Sequence, residues 1–324
     1  MAMAAAWPYA RGFLSLLVPL FEGEPQPFGP RPLQEIALNL FATTLLCCAA
    51  GYLLTRTTVL LRLVSWLHKL ELRDEAWEEL KLDAAQNFDA AKSGAAMEDG
   101  ATKAARRRPP GKRTATELLF IAVHNGTVTL LAALAWLIGS PALALNAFCL
   151  EVAYEIFDTF SLGLGRLEPE TLIHHIVSPI CILCSTQTTV DYRVLCHLCF
   201  CIDLSGAVLG YSKFLLHYAH VSASQVYRVL TWLYFAFRVL GPLIDTAIIV
   251  YEEVTSKGGL FAWGSMLDSE RGHAGFAKTD WTQLYFWAIA VLNAFNLYFF
   301  FVIRARAKMP AHLVASLERA TACQ

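Results

Sequence analysis

The chain has 324 residues, of which 56% are hydrophobic and 16% charged, with a mean hydropathy of +0.45 and a formal net charge of −1. Soluble globular proteins carry about 25% charged residues, and here the charges gather in two stretches instead of spreading. The composition excludes an ordinary soluble enzyme and points to a multi-pass membrane protein. Nucleic-acid binding has no support, because the main basic run lies in a linker.

The first 21 residues, MAMAAAWPYARGFLSLLVPLF, suit an interfacial helix about as well as a targeting signal, since no small-residue cleavage site follows. A membrane span needs roughly 20 mostly apolar residues. By that rule the candidates are 36–54, 117–138, 143–163, 171–188, 193–217, 226–250 and 281–303. The last, WTQLYFWAIAVLNAFNLYFFFVI, is the clearest. The third and fifth contain acidic residues and are the less secure. The expected fold is therefore all-α: a polytopic bundle of about seven transmembrane helices around a central cavity. Four segments follow in chain order: 1–67 with the first span, a polar basic linker over 68–116, a membrane domain over 117–303, and a tail over 304–324. Twelve of the 26 Lys and Arg fall in 55–116 and four more follow residue 303. By the positive-inside rule this places the linker and the tail on the cytosolic side.

Titratable residues nonetheless fall inside the spans, where a central Asp, Lys or Arg costs about 2.5–3.5 kcal/mol on insertion scales. Glu151, Glu155 and Asp158 share one helix face at i, i+4 and i+7. Asp203, Gly206, Gly210 and Lys213 share another, with Gly206 and Gly210 in a GxxxG pair that admits a close helix or a lipid chain. Arg238 and Asp245 flank Gly241-Pro242, a candidate kink. Three polar stripes in three spans imply one shared polar interior. Glu151, Lys213 and Arg228 also suit positions near an interface, where their heads reach water, and His197 suits a purely structural hydrogen bond. The adjacent pair His174 and His175 is the strongest functional candidate, because neighbouring helical residues point about 100° apart and do not share one small pocket by packing alone. The Cys181-x2-Cys184 and Cys196-x2-Cys199 pairs have zinc-like spacing. They lie in apolar spans, where cysteine behaves as a small hydrophobe, so no metal and no resident cofactor is expected.

Five ordered motifs complete the reading: FIAVHNGTV with His124, YEIFD with Asp158, LIHHIVS with His174 and His175, IDLSGAVLGYSKFLLHY from Asp203 to Tyr218, and FAFRVLGP with Arg238. Together, over about 117–303, they resemble the TLC domain, named for the TRAM, Lag and CLN proteins. The resemblance implies a membrane domain of the endoplasmic reticulum with a lipid-handling cavity. In the ceramide synthases of that family, paired histidines and a downstream acidic motif join an acyl group from acyl-CoA to a sphingoid amine. Carried over, His174, His175 and Asp203 would be catalytic, and His124, Asp158, Lys213 and Arg238 would bind substrate. Where the synthase pattern has a second Asp and a Glu, this chain has Gly206 and Gly210, which would widen a lipid groove. The chain thus looks closer to the TLC proteins associated with lipid homeostasis, sensing or trafficking, with membrane lipids as partners. An N-acyltransferase using long-chain acyl-CoA as co-substrate and a sphingoid base is the alternative, and a transporter is a third, weaker class.

Overall fold

A computed structural model describes residues 32–55, 57, 59–68, 113–162, 169–187, 190–219, 221–256 and 278–309. The segment 1–21 and most of the linker lie outside these residues. Among the described residues the regular structure is entirely helical. The helices are α1 Leu33–Thr55, α2 Val59–His68, α3 Ala115–Ile138, α4 Pro141–Leu162, α5 Pro169–Ser185, α6 Tyr192–Tyr218, α7 Ala223–Tyr234, α8 Gly241–Ser256 and α9 Lys278–Lys308. A π-helical stretch, Phe235–Leu240, joins α7 to α8.

Five rods are long and apolar enough to cross a membrane: α1, α3, α6, the α7–π–α8 rod over 223–251, and α9. This is a multi-pass membrane protein. The expected spans at 143–163 and 171–188 form α4 and α5, which do not meet that standard. Glu151, Glu155 and Asp158 interrupt the apolar run of α4, and α5 has 17 residues. The outer surface is itself apolar: Leu38, Phe41, Leu130, Leu137, Trp232, Trp287 and Phe301 are exposed. Large exposed apolar side chains on helices of this length suit a membrane-facing surface.

Local chemistry sets the helix limits. Thr114 caps α3 and Glu117 returns the bond to the Thr114 N–H, a reciprocal capping box that satisfies donors the helix leaves open. Gly139 ends α3 in the left-handed region (φ 75°), where a residue without Cβ meets no steric penalty. The helix thus starts two residues before the boundary drawn at 117. At the other end of the chain, α9 continues to Lys308, past the expected start of the tail at 304.

The kink expected at Gly241-Pro242 takes a specific form. Pro242 has no N–H to give the carbonyl four residues back and its ring crowds that carbonyl. The preceding turn widens, and the Gly241 N–H bonds the Ala236 carbonyl, five residues back. The GxxxG pair also has a definite partner. A Cβ on Gly210 would lie 3.0 Å from Ile121 Cγ2 and 3.3 Å from the Leu118 carbonyl. One on Gly206 would overlap the Asn125 side-chain amide. The two glycines therefore seat α3 against α6, correcting the idea that they widen a lipid groove.

Candidate functional site

The polar stripe of α4 is buried within the bundle. Glu151, Glu155 and Asp158 are all buried, with Glu155 at 2% exposure. Each finds partners on other elements, as buried charge requires.

Glu155 binds both histidines of the pair. His174 Nε2 is 3.1 Å from Oε1 and His175 Nε2 is 2.9 Å from Oε2. The rings diverge, with centroids 5.9 Å apart and planes at 55°, yet they converge on one carboxylate. This corrects the expectation that adjacent helical residues could not share a pocket: the two carboxylate oxygens are themselves splayed, one for each ring. The second contact lacks hydrogen-bond alignment, so Oε2 is a buried acceptor without a hydrogen bond.

His175 is held on both sides. The Thr159 hydroxyl donates its single proton to the Glu155 carbonyl at 2.7 Å and lies 2.8 Å from His175 Nδ1. It can then only accept from that nitrogen, so Nδ1 carries a proton. Nε2 faces Asp158 Oδ2 at 3.3 Å as well as Glu155. A ring nitrogen between two carboxylates is stable there when a proton lies between them. His174 differs. Its side chain is 25% exposed, and among the described residues no partner is found for its Nδ1.

Arg113 closes this cluster from outside α3. Its guanidinium grips Asp158 in a bidentate pair, at 2.5 and 2.6 Å, the geometry that suits a carboxylate best. Burial alone would lower the Arg113 pKa, but the Asp158 carboxylate outweighs it and raises that pKa above its ordinary value. The Tyr218 hydroxyl donates to the Arg113 carbonyl at 3.0 Å, tying the end of α6 to the same point.

One turn back along α4, Glu151 belongs to a second cluster. His124 Nε2 contacts it at 3.1 Å and stacks on Tyr154 with ring centroids 4.2 Å apart. Asp203, 2% exposed, accepts from the Cys199 thiol at 3.0 Å and lines the same cavity as Glu151. The structure thus places Asp203 with Glu151, not against His174 or His175. Glu151 is a buried partner here, not a residue reaching for the interface.

Between the clusters and the far side of the bundle lies a cavity of about 50 Å³. At roughly 10–15 Å³ per water, it has room for a few waters. Its walls are mostly apolar, with Phe148, Leu195, Leu198, Ile202, Ile289 and Leu292 among them. Glu151 and Asp203 supply its carboxyls, and Ser178, Ser185 and Asn293 add neutral polar groups. Ser178 lies four residues beyond His174 and Glu151 four before Glu155, so the histidine cluster continues the same helix faces one turn past the cavity.

Arg238, in the π-helical turn, donates to Asn296 Oδ1 at 3.0 Å and to the Ile202 carbonyl at 2.7 Å. It braces α6 beside Asp203. Lys213 is exposed, ten residues and roughly 15 Å along α6 from Asp203, so it lies apart from these clusters. The four CxxC cysteines do not form a metal group. The set of potential ligands that does come together among the described residues is His197, Cys201 and Asp245.

Helical spacing makes the stripe of α4 legible in the sequence, but not Glu155 as its hub, since pairing to His174 and His175 is set by the packing of α5. Arg113 carried no such signal, because it closes the basic run of the linker. No family model, curated protein or solved structure matches this chain.

Proposed function

We propose that the protein binds a membrane lipid at the cavity between α4, α5, α6 and α9, the small polar head entering it and the chain lying along its apolar rim, and acts in lipid homeostasis, as a sensor or carrier. The observation that supports this reading is the character of the cavity: apolar walls with Glu151 and Asp203 among them. Apolar walls take a hydrocarbon chain by the hydrophobic effect. Paired carboxyls favour a head that donates hydrogen bonds or carries positive charge, so a long-chain amine or amino alcohol fits best. The resemblance to TLC domains points the same way, and with it to the endoplasmic reticulum. The test is to purify the chain in mild detergent and identify retained lipid by mass spectrometry. Retained lipid lost in Glu151→Gln/Asp203→Asn supports the reading; no retained lipid in the wild type refutes it.

One observation favours a second reading, an acyl-CoA-dependent N-acyltransferase. Glu155 holds Nε2 of His174 and leaves Nδ1 as a base, a carboxylate–histidine pairing suited to proton transfer. Nδ1 would take the proton as a lipid amine attacks the thioester carbonyl. The C–N bond forms, the C–S bond breaks, and the proton passes to the leaving thiolate of CoA. Labelled acyl-CoA supplied with a panel of long-chain amines should then give amide with the wild type and none with His174→Ala.

A further inference from the structure

A second buried constellation lies apart from the α4 clusters, where α6 meets α8. His197 and Cys201 stand at i and i+4 on α6, one above the other on the same face. Asp245 comes from α8, where it is fully buried. His197 Nδ1 is 2.9 Å from both Asp245 oxygens, and the Cys201 sulfur is 3.8 Å from His197 Nε2 and 4.0 Å from Nδ1. One ligand atom from each residue falls within 4.8 Å of the others.

The local backbone makes room for this grouping. Gly241 faces Cys201, and a Cβ there would come within 2.7 Å of the sulfur. Asp245 follows Gly241 by four residues, so it faces His197 as Gly241 faces Cys201. The π-helical turn that ends at Gly241 sets this register, and such turns often occur at functional sites. Trp136 and Phe200 lie against the His197 ring, while 28% of its side chain remains exposed, leaving an approach for an ion.

We propose that His197, Cys201 and Asp245 form a three-ligand site for a divalent transition metal of the zinc class. Imidazole, thiolate and carboxylate are the ligand types zinc takes, at about 2.0–2.3 Å, and three protein ligands leave a fourth position open. Tetrahedral bonds of that length separate ligand atoms by roughly 3.3–3.7 Å. The His–Asp contact opens by a few tenths of an ångström and the His–Cys contact closes by as much. The charge also suits an apolar bundle. A divalent ion with one thiolate, one carboxylate and a neutral imidazole sums to zero, so the loaded site buries no net charge. Loading releases the thiol proton, and no redox partner is needed. The bare alternative is that His197 and Asp245 are only an ion pair joining two helices.

Cobalt(II) distinguishes the two. The full chain, purified in detergent and stripped with a chelator, is titrated with cobalt(II) and followed by absorbance. The site is expected to bind one cobalt per chain, with a thiolate-to-metal band in the near ultraviolet and visible ligand-field bands of a four-coordinate ion. Cys201→Ser should abolish the thiolate band. His197→Gln and Asp245→Asn should weaken binding about tenfold or more, and Cys48→Ser should change nothing. Absence of the band in the wild type, or its survival in Cys201→Ser, overturns the proposal. If Cys201→Ser does not fold, X-ray absorption of the zinc-loaded wild type decides. One sulfur with nitrogen and oxygen ligands sustains the site; no sulfur, or more than one, overturns it.

Discussion

Arg113 and Asp158, 45 residues apart in the chain, form a bidentate ion pair at 2.5 and 2.6 Å with side chains 15% and 4% exposed. The pair fixes the end of the basic segment to the polar face of α4 and leaves Asp158 within reach of His175. Removing one partner strands a buried charge, which costs about 3–5 kcal/mol. Arg113→Ala or Asp158→Ala should therefore lower the thermal midpoint sharply in detergent. Replacing both with apolar residues of similar volume should recover much of the loss. Equal loss in the double variant would show that the pair does not act as a unit.

The two histidines should separate in their effects. His175 contacts Thr159, Glu155 and Asp158, so His175→Ala removes the Thr159 hydrogen bond and the ring facing two buried carboxylates, at about 1–3 kcal/mol, and should lower the thermal midpoint. His174 is one-quarter exposed and contacts Glu155 alone among the carboxylates. His174→Ala removes the partner of Glu155 Oε1 and should lower the midpoint less than His175→Ala does, while reducing amide formation. Thermal scans of both variants beside an amide-formation assay check this. The reverse pattern would exchange the roles assigned to the two residues.

Gly206 offers a packing test. A side chain there would overlap the Asn125 amide, and overpacking a close helix contact costs about 1–3 kcal/mol. Gly206→Ala should destabilise the protein, and the added substitution Asn125→Ala should relieve part of the loss. A double-mutant cycle on thermal midpoints measures the coupling; strict additivity would mean that α3 and α6 do not meet at this point.

These residues also mark what the sequence makes legible. Apolar length alone locates the five long rods to within a few residues at most ends, because each is long and mostly apolar. The face of α4 is legible too, since helical periodicity turns Glu151, Glu155 and Asp158 into one stripe. Which residue answers each carboxylate is not legible, because pairing across helices is set by packing and not by local spacing. Asp203 looks like a partner of the histidines in the sequence and meets Glu151 and Cys199 in the fold. Arg113 reads as one more linker cation until the α3 cap brings it onto Asp158. His197 and Asp245 are 48 residues apart, and only the register imposed by the π-helical turn joins them.

The cavity's carboxyls allow ligand binding and stability to be separated. Glu151 and Asp203 both line the cavity, and Asp203 accepts from the Cys199 thiol, a bond that the amide oxygen of Asn can still accept. Asp203→Asn should keep the thermal midpoint within about 1 kcal/mol equivalent of the wild type and weaken retention of an amine-headed lipid. Thermal scans paired with quantitative mass spectrometry of bound lipid give both numbers. Unchanged lipid retention would remove Asp203 from the binding role.

The most direct test of a lipid held at this cavity is photo-crosslinking with a long-chain amine carrying a light-activated group on its chain, mapped by peptide mass spectrometry. The account predicts labels on cavity residues such as Phe148, Leu198 and Ile289, competed by unlabelled amine and lost in Glu151→Gln/Asp203→Asn. Labels confined to the outer residues Phe41, Trp232 and Trp287, unaffected by competitor or by that variant, would contradict it.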